Sequence, residues 1–261
     1  MRMDSMQREQ STKTSEFDRF AEDYTTGVDR PLKRLLGKSA SSFIQVKALY
    51  LMDHLKRQAK LKGRTDGGPH LLDFGCGTGE FLWFLDQYGF SGQLEGCDMS
   101  AGMLAEAAGR WSETEAPVLH VTGEGRLPFA SASFDLITAS CVYHHIPVDK
   151  RAPVTSEIFR LLKDGGQFVV FEHNPYNPLT RWMVARSPFD VNAELLTARV
   201  MADLMTEANF QPLKKDYILF FPPRLGWLRG LERYLRWLPL GGQYAVVGIK
   251  KADSAAPVTG E

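Results

Sequence analysis

A glycine-rich stretch after a short apolar run has the residue types of a ligand-binding loop. The run Leu71–Phe74 leads into glycines at 75, 77 and 79 and then into a helical stretch, Phe81–Leu85. A ligand can press against backbone only where no Cβ intrudes and φ can turn positive, and the start of a helix offers free N–H groups. The sequence therefore predicts a binding loop at Gly75, Cys76, Gly77 and Gly79.

Two acidic residues make the kind of ligand more specific. Asp98 stands 19 positions beyond Gly79, at the end of the next apolar run, where a carboxylate can accept from both hydroxyls of a ribose. Asp73, just before the loop, suits a ligand with an amino group better than one with two phosphates. Glu80 replaces the third glycine of dinucleotide loops, which disfavours pyrophosphate. The set predicts a nucleoside site, and weighs against a turn that only packs a strand on a helix.

The residues suited to moving a proton follow the fourth and fifth apolar runs. They include Tyr143, His144, His145, Glu172 and His173. Histidine can accept a proton near neutral pH, so the three histidines are the candidate catalytic residues. The alternative is that they only pack and hydrogen-bond in a loop. We expect no metal site, because adjacent histidines should point to different sides and the ligand spacing of a known site is missing.

Seven apolar runs, most of them separated by helical stretches, must position these residues. This alternation predicts an α/β fold with a doubly wound, mostly parallel seven-stranded sheet and a terminal antiparallel strand. In such sheets the functional groups collect at the carboxyl ends of the strands. The runs are His70–Phe74, Gln93–Cys97, Leu119–Val121, Phe134–Ala139, Gln167–Phe171, Tyr217–Phe221 and Tyr244–Ile249.

Length and composition favour one globular domain. We expect a single domain over 16–251, with a helical lid at 16–58 and disordered tails at 1–15 and 252–261. Lys plus Arg and Asp plus Glu each number 31, so no overall field attracts nucleic acid. Three cysteines without C-x-x-C pairing, and the absence of an apolar leader, predict a cytoplasmic protein.

Four motifs together carry a family resemblance. Asp73-Phe-Gly-Cys-Gly-Thr-Gly, Asp98-Met-Ser, Leu127-Pro-Phe with Ser133-Phe-Asp, and Tyr143-His-His-Ile resemble the class I S-adenosylmethionine-dependent methyltransferases, in particular the ubiquinone and menaquinone biosynthesis branch. The resemblance implies a Rossmann-like methyltransferase fold and S-adenosylmethionine as cofactor.

The same resemblance implies a role for individual residues in binding the cofactor. Asp98 would hold the ribose, and Met99 would pack on the adenine. The turn at Glu124 and Gly125 would reach the adenine edge, and Ser140 would border the sulfonium. The methionine part would be lined by Gly75, Cys76 and Gly77, and an opening pattern of Phe17, Phe20 and Tyr24 would form the lid, although plain helix core is the alternative for the two phenylalanines.

Two insertions bear on the acceptor. The segments 172–196 and 221–242 leave the predicted strands five and six on the cofactor side and exceed a median loop. In 221–242 five leucines share one helical face, flanked by Trp227 and Tyr234. That face is consistent with a helix packed on the body, an apolar cap over the acceptor, or a peripheral membrane helix. The leucines are Leu225, Leu228, Leu231, Leu235 and Leu238.

The function expected from these features is methyl transfer to an oxygen or carbon atom of a small or lipid-like molecule. Alternatives are a non-catalytic S-adenosylmethionine-binding accessory subunit and a nucleic-acid or protein methyltransferase. A nicotinamide-dependent oxidoreductase is disfavoured by Glu80. Asn174-Pro-Tyr-Asn-Pro resembles a motif of enzymes that methylate bases but follows the fifth run instead of the fourth, so no nucleic-acid partner is expected.

Overall fold

The computed structural model describes residues 41–62, 68–111, 116–221 and 223–251. Phe17, Phe20 and Tyr24, the part of the predicted lid before Ser41, and the predicted tails lie outside these ranges. From Ser41 onward the chain forms a helix that extends to Lys62, past the predicted end of the lid.

Seven strands form one sheet in the order β3-β2-β1-β4-β5-β7-β6. The neighbours from β3 to β5 are parallel, whereas β7 is antiparallel to both β5 and β6. This confirms the predicted fold class. The strands are β1 (His70–Phe74), β2 (Gln93–Asp98), β3 (Val118–Val121), β4 (Phe134–Ser140), β5 (Leu162–His173), β6 (Gln211–Ile218) and β7 (Gln243–Ile249).

Helices connect the strands, and several begin at a side-chain cap. The hydroxyl of Ser100 accepts from Met103 N at 3.1 Å, and Asn177 and Thr197 cap two later helices in the same way. The α-helices are α1 (Ser41–Lys62), α2 (Glu80–Gln87), α3 (Ala101–Ala108), α4 (Val148–Leu161), α5 (Pro178–Val184), α6 (Ala198–Glu207) and α7 (Arg229–Leu235).

The sheet separates two apolar cores, because successive strand residues point to opposite faces. Leu72 and Phe168 pack with α4 and α6, while Leu71 and Val169 pack with α1 and α2. The central strands are buried on both faces, as expected of a doubly wound sheet.

Two predicted elements differ from the structure. The sixth strand runs from Gln211 to Ile218, earlier than the predicted Tyr217–Phe221, because this edge strand is polar in its first half and carries little apolar signal. Segment 221–242 forms two short pieces instead of one long helix. A 3₁₀ turn, Pro223–Leu228, with a kink at Leu225 precedes α7, which buries none of its residues. Across the described residues no helix is both long and apolar enough to span a bilayer.

Replacing Gly96 by alanine should destabilise the fold. A Cβ at Gly96 would lie 2.8 Å from Cys76 Sγ and 3.0 Å from both Leu82 and Leu119 side chains. Overpacking of this kind costs about 1 to 3 kcal/mol. Urea denaturation should show that loss for Gly96→Ala. The control Gly230→Ala, in α7 with open space around the added carbon, should be neutral or slightly stabilising. Equal unfolding free energies for the two variants would contradict this account of the core.

Candidate functional site

The glycine loop leaves β1 at the carboxyl edge of the sheet in left-handed backbone. Gly75, Gly77 and Gly79 have φ of +70°, +51° and +69°. A Cβ at Gly75 would lie 2.6 Å from the side chain of Val142, and one at Gly79 would lie 3.0 Å from Ala107. A Cβ at Gly77 would meet nothing within 4 Å. The outer glycines therefore pack against protein, and Gly77 presents bare backbone to open space.

Asp98, at the end of β2, is held beside this loop. One carboxylate oxygen accepts from Gly77 N at 2.8 Å, and the other accepts from Ser100 N at 2.9 Å. Gly75 N and Cys76 N both donate to Cys97 O, which ties the loop to the same strand. These bonds fix the acid predicted to bind ribose against the glycine predicted to approach the ligand.

Asp73 lies beneath the loop and is almost fully buried. Burial raises the pKa of its carboxyl to about 7, although a 2.7 Å hydrogen bond from Thr138 Oγ1 and the nearby Lys47 ammonium oppose that shift. A carboxylate in such surroundings favours a cationic partner. The arrangement suits the amino group that the sequence predicted for the ligand.

The other residues predicted to contact the cofactor lie in different environments. Met99 is half exposed just after β2, while Glu124 and Gly125 lie in an exposed turn, where Glu124 pairs with Lys150. The Cys76 side chain is buried in the core against the position of Gly96, so only the backbone of Cys76 is available to a ligand.

A buried lysine that sequence reasoning missed lies at the end of β4. The Nζ atom of Lys47, from α1, is 3.0 Å from both Ser140 Oγ and Cys141 Sγ. Burial alone would raise the pKa of the Cys141 thiol, but Lys47 and His173 lower it to about 6. Lys47 precedes buried Leu51 by one helical turn, which is the periodicity that could have shown it to be buried.

Glu172, fully buried near the end of β5, organises the histidines. Its carboxylate accepts from His144 Nδ1 at 2.6 Å, from Tyr143 N at 2.7 Å and from His173 N at 3.2 Å. On the other side of the His144 ring, Nε2 is 3.2 Å from an oxygen of Asp190. Although burial alone would lower the pKa of His144, the two carboxylates raise it well above its ordinary value. His144 is thus held between two acids through both of its ring nitrogens.

His145 and His173 surround that ring. The centroids of His145 and His144 are 4.1 Å apart, and Nε2 of His145 is 3.5 Å from the same oxygen of Asp190. The prediction that the adjacent histidines point to different sides is therefore wrong, because the 3₁₀ turn Tyr143–His145 brings both rings to one carboxylate. Burial and the charge of His144 lower the pKa of His145 to about 4. The ring centroids of His173 and His144 are 5.1 Å apart. The side-chain amide of Gln243 lies between His173 and Cys141 and contacts both.

Comparison with known proteins agrees with this geometry. A family model described as a methyltransferase domain matches residues 72–170. A demethylmenaquinone methyltransferase from Beutenbergia cavernae is 34% identical over 216 residues, which are 80% of this chain and 83% of that protein.

Other relatives match over less of their length. The chain spans about half the length of several curated relatives, such as the demethylmenaquinone methyltransferase of Symbiobacterium thermophilum, 34% identical over 123 residues, with 44% of this chain and 46% of that protein covered. A solved S-adenosylmethionine-dependent methyltransferase of Thermotoga maritima has the same fold, with a TM-score of 0.62 at 20% identity, over 90% of this chain and 98% of that one.

A doubly wound sheet with a glycine loop and an acid beside it at its carboxyl edge is typical of nucleoside-binding α/β proteins. This chain belongs to the class I S-adenosylmethionine-dependent methyltransferases, in the branch that includes the ubiquinone and menaquinone biosynthesis enzymes. The resemblance seen in the sequence is thereby confirmed, and with it the cofactor of the family.

Asp73→Asn should separate stability from cofactor binding. The folded-state pKa of Asp73 is about 7, against 3.8 as its ordinary value, so the wild-type fold loses stability as the pH rises between these values. The variant does not titrate and keeps an acceptor for Thr138. Its melting temperature relative to wild type, without cofactor, should therefore rise between pH 5 and 8.

Affinity for S-adenosylmethionine should fall about 10-fold in the same variant, because a charge-assisted contact is lost. Thermal melts across pH and calorimetric titration measure the two effects. A melting difference that stays constant with pH would show that the carboxyl is already ionised in the fold at low pH.

Proposed function

We propose that this protein transfers the methyl group of S-adenosylmethionine to an oxygen or carbon atom of a small, lipid-like acceptor. The observation that carries the proposal is the pairing of Gly77 with Asp98. The position where a Cβ of Gly77 would lie is open, and the amide of Gly77 donates a hydrogen bond to Asp98. This cradle shares the carboxyl edge of the sheet with the buried Lys47 and the histidine cluster.

In this proposal the described residues act mainly by holding the reactants in place. Asp98 accepts from the ribose hydroxyls, the loop backbone approaches the methionine part, and Asp73 faces the amino group. S-adenosylmethionine supplies an electrophilic methyl group. Transfer of this group is accelerated when the acceptor atom is aligned with the C–S bond and when water is excluded. Ser140 and Cys141, beside Lys47, line the point where β4 ends and where the acceptor must approach.

The three candidate catalytic histidines are suited to different roles. Both ring nitrogens of His144 face carboxylates, so His144 is placed to position its neighbours and not to take a proton from the acceptor. His145 is neutral at pH 7 because its pKa is lowered, and it is partly exposed. We infer that His145 receives the proton of the acceptor. We infer that His173 contacts the acceptor beside Cys141.

The names of the relatives support a lipid-like acceptor. Two of the proteins described above are demethylmenaquinone methyltransferases, which makes a quinone-like ring the class of acceptor to examine first. Methylation of a nucleic acid or protein would place the label in macromolecules, and an accessory role without catalysis would give no labelled product.

Methyl labelling of a cell extract tests the proposed function. Protein and S-adenosylmethionine carrying a labelled methyl group are incubated with extract, which is then divided into lipid, small-molecule and macromolecular fractions. We expect label in the lipid fraction. Asp98→Asn should reduce incorporation at limiting cofactor about 10-fold or more, since hydrogen bonds to a charged group contribute about 1.5 to 3 kcal/mol each. Label confined to macromolecules, or cofactor binding without transfer to any fraction, would contradict the proposal.

An exposed surface of aromatic and aliphatic side chains supports access to the acceptor from a membrane. Trp227 and Trp237 are 79% and 74% exposed, far more than large apolar side chains usually are. The loop after α7 bonds to the start of α5, because Asn177 Nδ2 donates to Leu240 O at 2.8 Å. Together these parts form what we call the aromatic surface: Tyr176, Leu179, Trp182, Leu225, Trp227, Leu231, Tyr234, Trp237 and Leu240.

Arginines accompany the aromatic surface. Arg186 lies over the ring of Trp182 and Arg233 over that of Tyr234. Glu232, an acid of this region, accepts from the backbone amides of Phe220 and Phe221. Tryptophan, tyrosine and arginine side by side are typical of surfaces that rest in the headgroup region of an anionic bilayer.

Replacing both Trp227 and Trp237 by serine should abolish membrane contact without affecting the cofactor site. Wild-type protein should co-sediment with anionic phosphatidylglycerol vesicles at low salt and less so at high salt, since charge attraction is screened. The double variant should partition at least 10-fold less. Val118→Ser, an exposed apolar residue on β3, is the matched control and should sediment like wild type. Absence of sedimentation by wild-type protein at low salt would refute membrane contact.

A further inference from the structure

Three side chains beside the acceptor approach have the geometry of a metal site. His144, His173 and Asp190 each offer one ligand atom, and these atoms lie within 4.8 Å of one another. The separation of 3.2 Å between Nε2 of His144 and Oδ1 of Asp190 is that of neighbouring ligands around an ion bound at about 2.0 to 2.2 Å. The residues come from the ends of β4 and β5 and from the loop after α5, which explains why no sequence spacing predicts the site.

The groups behind these ligands are those that orient a metal-binding histidine. Glu172 accepts from Nδ1 of His144, which leaves Nε2 as the nitrogen that faces Asp190. A carboxylate on the far nitrogen fixes the ring and makes it a stronger ligand. Glu172 is in turn held by the backbone amides of Tyr143 and His173. Two carboxylates around one buried ring also place two negative charges where a divalent cation would balance them.

We propose that His144, His173 and Asp190 bind a zinc ion that holds the oxygen of the acceptor. Two imidazole nitrogens and one carboxylate are a ligand set of catalytic zinc sites, in which a fourth position is left to substrate or water. The part that concerns the acceptor rests on the proposed methyl transfer and narrows it to a hydroxyl group.

The ion lowers the pKa of a hydroxyl bound at that position. The proton released from the hydroxyl passes to water. The oxygen then attacks the methyl carbon, so that the C–O bond forms as the C–S bond to the sulfonium breaks and its electron pair stays on sulfur.

Metal binding can be measured without any acceptor. Chelator-treated protein is titrated with Zn²⁺ by calorimetry and with Co²⁺ by visible absorption, and we expect one ion per chain with nitrogen and oxygen ligands. Asp190→Asn and His173→Asn should each weaken binding at least 10-fold. Glu172→Gln should weaken it about 10- to 100-fold through the orientation of His144.

Folding and cofactor binding serve as independent controls. The control variant is His120→Asn, from the other histidine–carboxylate cluster of the described structure, where His70 and His120 share Glu95. It should bind zinc like wild type. Every variant is checked by thermal melt and by titration with S-adenosylmethionine, so loss of zinc in a folded, cofactor-binding Asp190→Asn protein supports the site.

Three results would overturn the proposal: no stoichiometric ion in wild type, equal affinity in the Asp190 and His120 variants, or a thiolate band with Co²⁺ that disappears in Cys141→Ser. Failure of the metal site leaves cofactor binding and methyl transfer intact, whereas failure of the proposed function leaves an ion bound without labelled product.

Discussion

The buried carboxylate of Glu172 is the constraint on which the acceptor side of the molecule depends. It joins the ends of the two central strands, because it accepts from the amides of Tyr143 after β4 and His173 at the end of β5. A buried charge requires such partners, and the ring of His144 donates a further hydrogen bond to it at 2.6 Å. The geometry of the turn after β4 and the position of the histidine rings both follow from satisfying this one group.

The acids of the cofactor side are held differently. Asp98 is fixed by the backbone amides of Gly77 and Ser100, and Asp73 accepts a side-chain hydrogen bond from Thr138 and lies near the Lys47 ammonium. Both acids lie beside the glycine loop, where they can meet the hydroxyls and the amino group of a ligand. Glu172, in contrast, orders the residues of the acceptor side around itself.

The sequence was most informative where structure is local. The strands β1 to β5, the glycine loop and Asp98 could be predicted, since apolar runs, glycine conformation and strand ends are set by neighbouring residues. Lys47 and Asp190 could not be predicted as site residues, because only tertiary packing brings them to Cys141 and His144.

The leucine pattern of 221–242 was misleading for a physical reason. The segment forms a 3₁₀ turn that is kinked at Leu225 and then α7, and none of the α7 residues is buried, so no apolar core fixes a longer helix. Helical periodicity thus identified the amphipathic residues, but the single long helix that it predicted is wrong.

Arg236, at the end of this segment, connects the outside of the protein to its interior. Its guanidinium lies 4.9 Å from the ring centre of Tyr50 and 3.8 Å from Asp216, while its carbonyl accepts from Tyr217 N. Tyr50 stands on α1, less than one turn from Lys47, whose ammonium is at the end of β4. Any partner that displaces Arg236 must therefore break its contacts with Tyr50 and Asp216 and its hydrogen bond with the Tyr217 amide. External contacts at this segment thus act on residues that pack directly against α1 and β6.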